Sequence, residues 1–230
     1  MYRFTQKTIP LFVQSTLFEN THWVYRLVYP SVRTICEGLL QRETYGLEFV
    51  SQKAPFLFVG NHVSFLDPPA FATAIPQKTF FFARKTLFKS KFWDWLLRGV
   101  NVLPIDREKV DIGGFKQMVQ FLKEGSGVFL FPEGTRSPDG RLQVPKSGVG
   151  MLACYTQVPV IPGRIFGSYE MLGRHRMFPD LLHPLSIVFG PPLVPADYDP
   201  GEAHPKRYEE AARRIMQAIA DLQLPRIPVV

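Results

Sequence analysis

The chain has only two cysteines in 230 residues, Cys36 and Cys154, far apart in sequence and with no CxxC pair or histidine cluster beside them. Their scarcity excludes a disulfide framework and a cysteine-based zinc site, and a reducing compartment fits best. No stretch approaches the roughly 20 continuous apolar residues that cross a bilayer, so a chain of this kind that meets a membrane lies on it. Residues 1–18 hold scattered apolar side chains, cut by Pro10, Gln14 and Ser15, and lack a small-residue cleavage site, which speaks against a signal peptide. Internal repeats and low-complexity runs are missing. The G-x-S-x-G pattern is absent, which leaves Ser64 as a turn residue rather than a nucleophile. Metal catalysis lacks a second histidine at ligand spacing. Acidic side chains are in deficit, 20 against 27 lysines and arginines, for a net charge of +7 and a pI near 9.5. The partner is therefore acidic: nucleic acid, anionic lipid headgroups, or a phosphorylated cofactor or carrier. The cations are not gathered on one helix or arm, which disfavours nucleic acid.

What is abundant is aromatic: 20 Phe, 8 Tyr and 3 Trp. Residues 84–98 interleave cations with Phe88, Phe92, Trp93 and Trp95, a pattern suited to a bilayer interface, where Lys and Arg stems snorkel and indole rings sit at headgroup depth. An ordinary helix with Phe92, Trp95 and Leu96 in the core is the competing reading. Before it, Trp23, Val24, Leu27 and Val28 make a short helical patch, and Val32, Ile35, Cys36, Leu39 and Leu40 form one apolar face of a helix starting after Pro30. This N-terminal helical segment, residues 1–43, either associates with a membrane through residues such as His22, Trp23, Arg26 and Arg33 or packs on the sheet of the main domain, residues 44–230.

Short apolar runs at residues 45–50, 55–59, 79–83, 101–105, 128–131, 158–162 and 185–189 read as strands. Helical patterns at 68–74, 113–124, 149–155 and 208–222 alternate with them. The alternation predicts an α/β layered domain around a largely parallel central sheet. Gly148-Val149-Gly150-Met151-Leu152-Ala153 matches the dinucleotide fingerprint G-x-G-x-x-A, but no strand precedes it, so these glycines serve close helix packing.

Four of the strands end in polar clusters: His62 with Asp67, Arg84 with Lys85, Asp106 with Arg107, and Glu133 to Arg136. If the strands are parallel, all four meet at one edge of the sheet. A histidine held by a carboxylate is a general base, and guanidinium and ammonium groups grip phosphate, so the combination points to deprotonation of a hydroxyl on an anionic molecule.

These clusters carry a resemblance. Asn61-His62-Val63-Ser64-Phe65-Leu66-Asp67 is similar to the NHxSxxD block of the glycerolipid acyltransferases, the lysophosphatidic acid acyltransferases of phospholipid synthesis. Val102-Leu103-Pro104-Ile105-Asp106-Arg107, Phe131-Pro132-Glu133-Gly134-Thr135-Arg136-Ser137 and Val158-Pro159-Val160-Ile161-Pro162 resemble the next three blocks, in the family's order. The resemblance implies direct acyl transfer from a thioester, on coenzyme A or acyl carrier protein, to a lysophospholipid hydroxyl at a membrane surface. It implies no metal and no cofactor beyond that donor. His62 then takes the hydroxyl proton and Asp67 orients it. Lys85, Arg107 and Arg136 hold phosphate, Glu133 and Gly134 shape the substrate-binding loop, Thr135 adds a hydroxyl contact, and Pro159 and Pro162 set the acyl-chain side. Glycerol 3-phosphate or another lysolipid is an alternative acceptor, and a non-catalytic membrane-binding module is the rival from another class. A peripheral place on the cytoplasmic face of a membrane follows from the same resemblance.

Overall fold

The apolar runs enter one seven-stranded sheet. The computed structural model describes residues 22–50, 55–106 and 111–225. Strands β1 (Glu43–Tyr45), β2 (Leu57–Gly60), β3 (Thr79–Arg84), β4 (Val102–Ile105), β5 (Gly127–Leu130), β6 (Val160–Phe166) and β7 (Ser186–Phe189) lie in the order β1-β7-β6-β2-β5-β3-β4. Only the β6–β7 pairing is antiparallel, with Gly163 opposite Phe189. All other neighbours are parallel, so the ends of β2, β3, β4 and β5 do share one edge.

Residues alternate across the sheet and feed two cores. Phe58, Phe81, Phe129 and Ile161 face helix α3 (Asp67–Ala74), which contributes Ala70, Phe71 and Ala74. Leu57, Val59, Val128 and Val160 face α5 (Ile112–Lys123), α6 (Ser147–Thr156) and α9 (Arg207–Asp221). The strands are buried on both faces, which is why they read as continuous apolar runs rather than as alternating ones. Pro68 and Pro69 sit in the first turn of α3, where a missing N–H costs nothing.

Two expectations are corrected. Residues 45–50 do not form a strand: β1 ends at Tyr45, Gly46 takes a positive φ of 76°, and Leu47–Val50 is one helical turn, α2. A Cβ at Gly46 would meet the Phe189 carbonyl oxygen at 2.1 Å, so the chain passes β7 where a side chain cannot. Pro30 does not start a helix. It lies inside α1 (Trp23–Thr34), which continues into a wider π-type turn, Ile35–Leu39. Packing overrides the lost hydrogen bond, because Tyr25 and Tyr29 are buried and stacked at 5.4 Å, and the Tyr29 hydroxyl donates to the Thr73 carbonyl at 3.3 Å. Just beyond, buried Arg42 donates to the Ala70 carbonyl at 2.8 Å, to the Thr73 hydroxyl and to Glu37, tying the N-terminal segment to α3. Helix α4 (Lys91–Gly99) follows a 3-10 turn at Lys85–Phe88, and its aromatics decide against the competing core reading. Phe92, Trp93 and Trp95 are exposed, not core. Two short helices, α7 (Ser168–Leu172) and α8 (Pro195–Tyr198), complete the chain.

Gly150 explains the false dinucleotide fingerprint. A Cβ there would lie 2.0 Å from the Tyr208 carbonyl oxygen and 2.8 Å from the Ala212 nitrogen, so α6 and α9 touch backbone to backbone. Gly150→Ala is expected to destabilise the fold by about 1–3 kcal/mol, because no side chain can yield at such a contact. Gly148→Ala, with open space around it, is expected to be neutral or slightly stabilising. Urea titrations of both variants check the pair.

Candidate active site

Strand β2 delivers its following residues to the parallel edge, and the loop 61–66 is fixed there from several sides. The Asn61 amide spans to β6: the Ile165 N–H donates to Asn61 Oδ1 at 2.8 Å, and Asn61 Nδ2 donates to the Ile165 carbonyl at 3.2 Å. The Ser64 hydroxyl donates to the Leu172 carbonyl at 2.7 Å, and Ser64 pairs with Gly173 in an isolated antiparallel bridge. The Ser137 N–H donates to the His62 carbonyl at 2.8 Å, so the third sequence block clasps the first.

Asp67, the first residue of α3, is fully buried. Its Oδ2 receives His62 Nδ1 at 2.9 Å, the Val63 N–H at 2.6 Å and the Ser64 N–H at 2.7 Å. The carboxylate thus closes the loop on itself at a helix N-terminus, where negative charge is favoured. With Nδ1 donating to Asp67, the other imidazole nitrogen, Nε2, keeps its lone pair. The ring stacks on Phe131 at 4.1 Å between centroids and 19° between planes.

Glu133 lies behind this arrangement. Its Oε1 accepts the His62 N–H at 3.2 Å and its Oε2 accepts from Gln143 at 3.0 Å. Burial pushes the carboxyl up from its ordinary 4.5 to about 7, against the lowering effect of those two bonds.

His62, Thr135 and Arg136 line a cavity of about 800 Å³, whose remaining walls are mostly apolar: Tyr25, Tyr29 and Val32 of α1, Pro69 and Ala72 of α3, and Phe81 of β3. The Arg136 guanidinium lies 3.4 Å from the centroid of the Phe65 ring. Burial holds its pKa below the usual arginine value and Arg174 adds to the effect. Arg174 lines the same cavity. It lies outside all four sequence blocks, in the turn after α7, and no local pattern marks it.

The other expected residues are placed elsewhere. Arg84 lines the cavity, but Lys85 is exposed, sits off the wall and pairs with Asp106 at 3.5 Å. Glu133 and Gly134 form the loop behind His62 without lining the cavity, and Gly134 takes a φ of 70° beside Lys146. Arg107 lies outside the described residues. Pro159 and Pro162 do not line the cavity. Their carbonyls accept from Leu57 and Gly190 on the β6 side of β2, whereas the cavity opens over β3 and β4. The apolar wall comes instead from α1, which the sequence marked for a surface or for packing. Among the described residues no three His, Cys, Asp or Glu side chains gather to hold a metal ion.

A carboxylate-held imidazole thus lines the same largely apolar cavity as Arg84, Arg136 and Arg174. A model of the acyltransferase family matches residues 41–165, and the chain belongs to that family. It is similar to chloroplastic 1-acyl-sn-glycerol-3-phosphate acyltransferases of Brassica napus, 31% identical over 152 residues, and Arabidopsis thaliana, 33% identical over 153 residues. Each alignment takes in 65% of this chain but only 42% and 40% of the relative, so the chain spans about two fifths of their length. A 1-acyl-sn-glycerol-3-phosphate acyltransferase of Bacillus subtilis is 27% identical over 68% of this chain and 75% of its own. The crystal structure of the lysophosphatidic acid acyltransferase PlsC from Thermotoga maritima shares the fold, with a TM-score of 0.67 at 23% identity over 93% of this chain and 88% of that one.

A carboxyl whose folded pKa lies above its unfolded one binds its proton more tightly when folded. Its stabilising effect is full below the unfolded value and is lost as pH rises through about 7. Glu133→Gln is therefore expected to flatten the fall in stability between about pH 4.5 and 7 relative to the parent chain. Urea midpoints measured across that range decide it, and an unchanged slope refutes the burial argument.

Proposed function

We propose that this chain transfers a fatty acyl group from an acyl thioester to the free hydroxyl of lysophosphatidic acid, forming phosphatidic acid in phospholipid synthesis. The donor is acyl coenzyme A or acyl carrier protein, used as a substrate and not as a resident cofactor. The observation that carries the proposal is the His62–Asp67 pair, 2.9 Å apart, with His62 on the wall of a largely apolar cavity that Arg84, Arg136 and Arg174 also line.

The acceptor phosphate lies against Arg136, which places its hydroxyl toward His62 Nε2. As the hydroxyl oxygen attacks the thioester carbonyl carbon, His62 takes the proton and Asp67 stabilises the imidazolium. The tetrahedral intermediate collapses with cleavage of the C–S bond, and the imidazolium returns its proton to the departing thiolate. No acyl-enzyme forms. The hydrocarbon of one substrate fills the cavity under α1.

Membrane association is part of the same proposal, at the cytoplasmic face and peripheral. Among the described residues no helix is long and apolar enough to cross a membrane. Residues 1–43 provide one attachment and the turn and helix of residues 85–98 another: Trp23 and Trp95 meet at 5.8 Å between centroids, and Phe92 packs against both Trp93 and Trp95, all of them solvent-facing.

His62→Ala is expected to lower acyl transfer to lysophosphatidic acid by roughly 10²–10⁴-fold while liposome cosedimentation is retained. Undiminished turnover removes His62 from the reaction, and a parental chain that binds vesicles but transfers nothing leaves only a membrane-binding module. Replacing Trp93 and Trp95 together by serine is expected to weaken cosedimentation with anionic liposomes at least about tenfold. Full binding by a folded double variant rejects that surface.

A further inference from the structure

We propose that Arg174 and Arg136 act as two jaws of one anion clamp, and that Arg174 sets a preference for phosphomonoester acceptors over phosphodiester ones. The inference rests on the acyl-transfer reading for its biological meaning, but not for its binding geometry.

Both arginines line the cavity that His62 also lines. Among the described residues neither forms an ion pair with a carboxylate, and Arg136 Nη1 is buried without a hydrogen-bond partner. Asp67 attracts Arg136, but its Oδ2 is filled by His62, Val63 and Ser64, and its buried Oδ1 makes no hydrogen bond to either arginine. Two unpaired cations that feel each other's charge are at a disadvantage until an anion sits between them, and the need is met best by a dianion. A phosphomonoester carries about −1.5 to −2 charges near neutral pH and three free oxygens, enough to face two guanidinium forks. A phosphodiester carries one charge, and its second ester substituent occupies the side that the second jaw needs.

The clamp is also registered to the base. Arg174 follows Gly173, which bridges to Ser64, and the Leu172 carbonyl receives the Ser64 hydroxyl at 2.7 Å. Ser64 is two residues from His62 on the loop that Asp67 closes. A headgroup held by Arg174 therefore keeps a fixed distance to the imidazole. In a lysophosphatidic acid the reacting hydroxyl is on the carbon next to the phosphate-bearing one, so this registration matters most for a short span.

The test is equilibrium binding of short-chain lysophosphatidic acid and lysophosphatidylglycerol, a phosphomonoester and a phosphodiester of matched tail, below their micelle concentrations. The parental chain is compared with Arg174→Gln and Arg174→Lys, each checked for folding by circular dichroism. Arg174→Gln is expected to weaken lysophosphatidic acid binding by about 10–100-fold, the value of a charge-assisted hydrogen bond. It should change lysophosphatidylglycerol binding by less than about threefold, and Arg174→Lys should recover part of the loss. Equal losses for both lipids, or none for lysophosphatidic acid, overturn the proposal. So does a parallel fall in cosedimentation with phosphatidylglycerol vesicles, which places Arg174 on the bilayer surface instead. Turnover is assayed alongside. A parental chain that binds the two lipids differently through Arg174 but transfers no acyl group supports the clamp and defeats the acyl-transfer reading.

Discussion

The carboxylate of Asp67 is the interaction on which the site depends. One oxygen receives an imidazole nitrogen and two backbone N–H groups from the loop immediately before it. A fully buried carboxylate survives only when its charge is met by donors, and each charge-assisted bond contributes about 1.5–3 kcal/mol. The donors here are the very groups whose positions determine where the imidazole points. Satisfying the charge and aiming the imidazole are therefore one event. Glu133 repeats the logic from behind, taking the His62 N–H, and Asn61 fixes the root of the loop to β6. The loop's backbone is thus bonded to groups of the first and third blocks, while its Asn61 side chain bonds the backbone of β6. The blocks stand far apart in the chain because each follows a different strand.

The sheet supplies the second constraint. Parallel pairing of β2 with β5, β5 with β3 and β3 with β4 sends four strand ends to one edge, and the polar residues that terminate the apolar runs gather there. Pairing alone does not make the cavity. It needs α1, whose Tyr25 and Tyr29 stand opposite α3 and β3 and whose attachment runs through Arg42 to Ala70 and Thr73. A buried arginine is costly unless its nitrogens find acceptors, and besides the Glu37 carboxylate Arg42 finds backbone and hydroxyl oxygens of the helix that begins with Asp67. The wall and the imidazole are thereby fastened to the same short helix.

Most of the architecture was legible because burial on both faces leaves an unmistakable record: the runs at 55–59, 79–83 and 128–131 are almost wholly apolar and each lies within a residue or two of an observed strand. The helix-packing reading of Gly148 and Gly150 held at Gly150 for the same local reason, a backbone contact that tolerates no side chain. What was not legible depends on distant partners. Gly46 ends β1 because Phe189 lies against it, a neighbour 143 positions later (189 − 46) that no window of sequence contains. Pro30 stays inside α1, directly after two stacked and buried tyrosines that anchor the turns before it. Lys85 follows a strand into the polar edge as expected, yet Asp106 draws it away, and Arg84 beside it lines the cavity instead. Arg174 reaches the site through a bridge to Ser64 and carries no local signature.

The cavity's other lining residues bear on how an amphiphile arrives. Leu87 and Trp93 line the cavity and are also about half exposed, at 52% each. The apolar cavity therefore opens through the aromatic surface rather than at a point remote from it. Carrying a hydrocarbon chain through water costs about 0.8 kcal/mol for each methylene exposed, which for a long acyl chain exceeds the stability of many folded domains. Under the proposed function, a mouth that lies in the membrane-facing surface removes most of that cost, since the tail passes from lipid to protein without crossing solvent. The same geometry leaves the cationic end to meet the headgroup, and the aromatic rim and the arginines then select for opposite halves of one molecule. In that reading the bond to be made lies where the polar and apolar halves of that molecule join, and His62 lines the same cavity as the arginines.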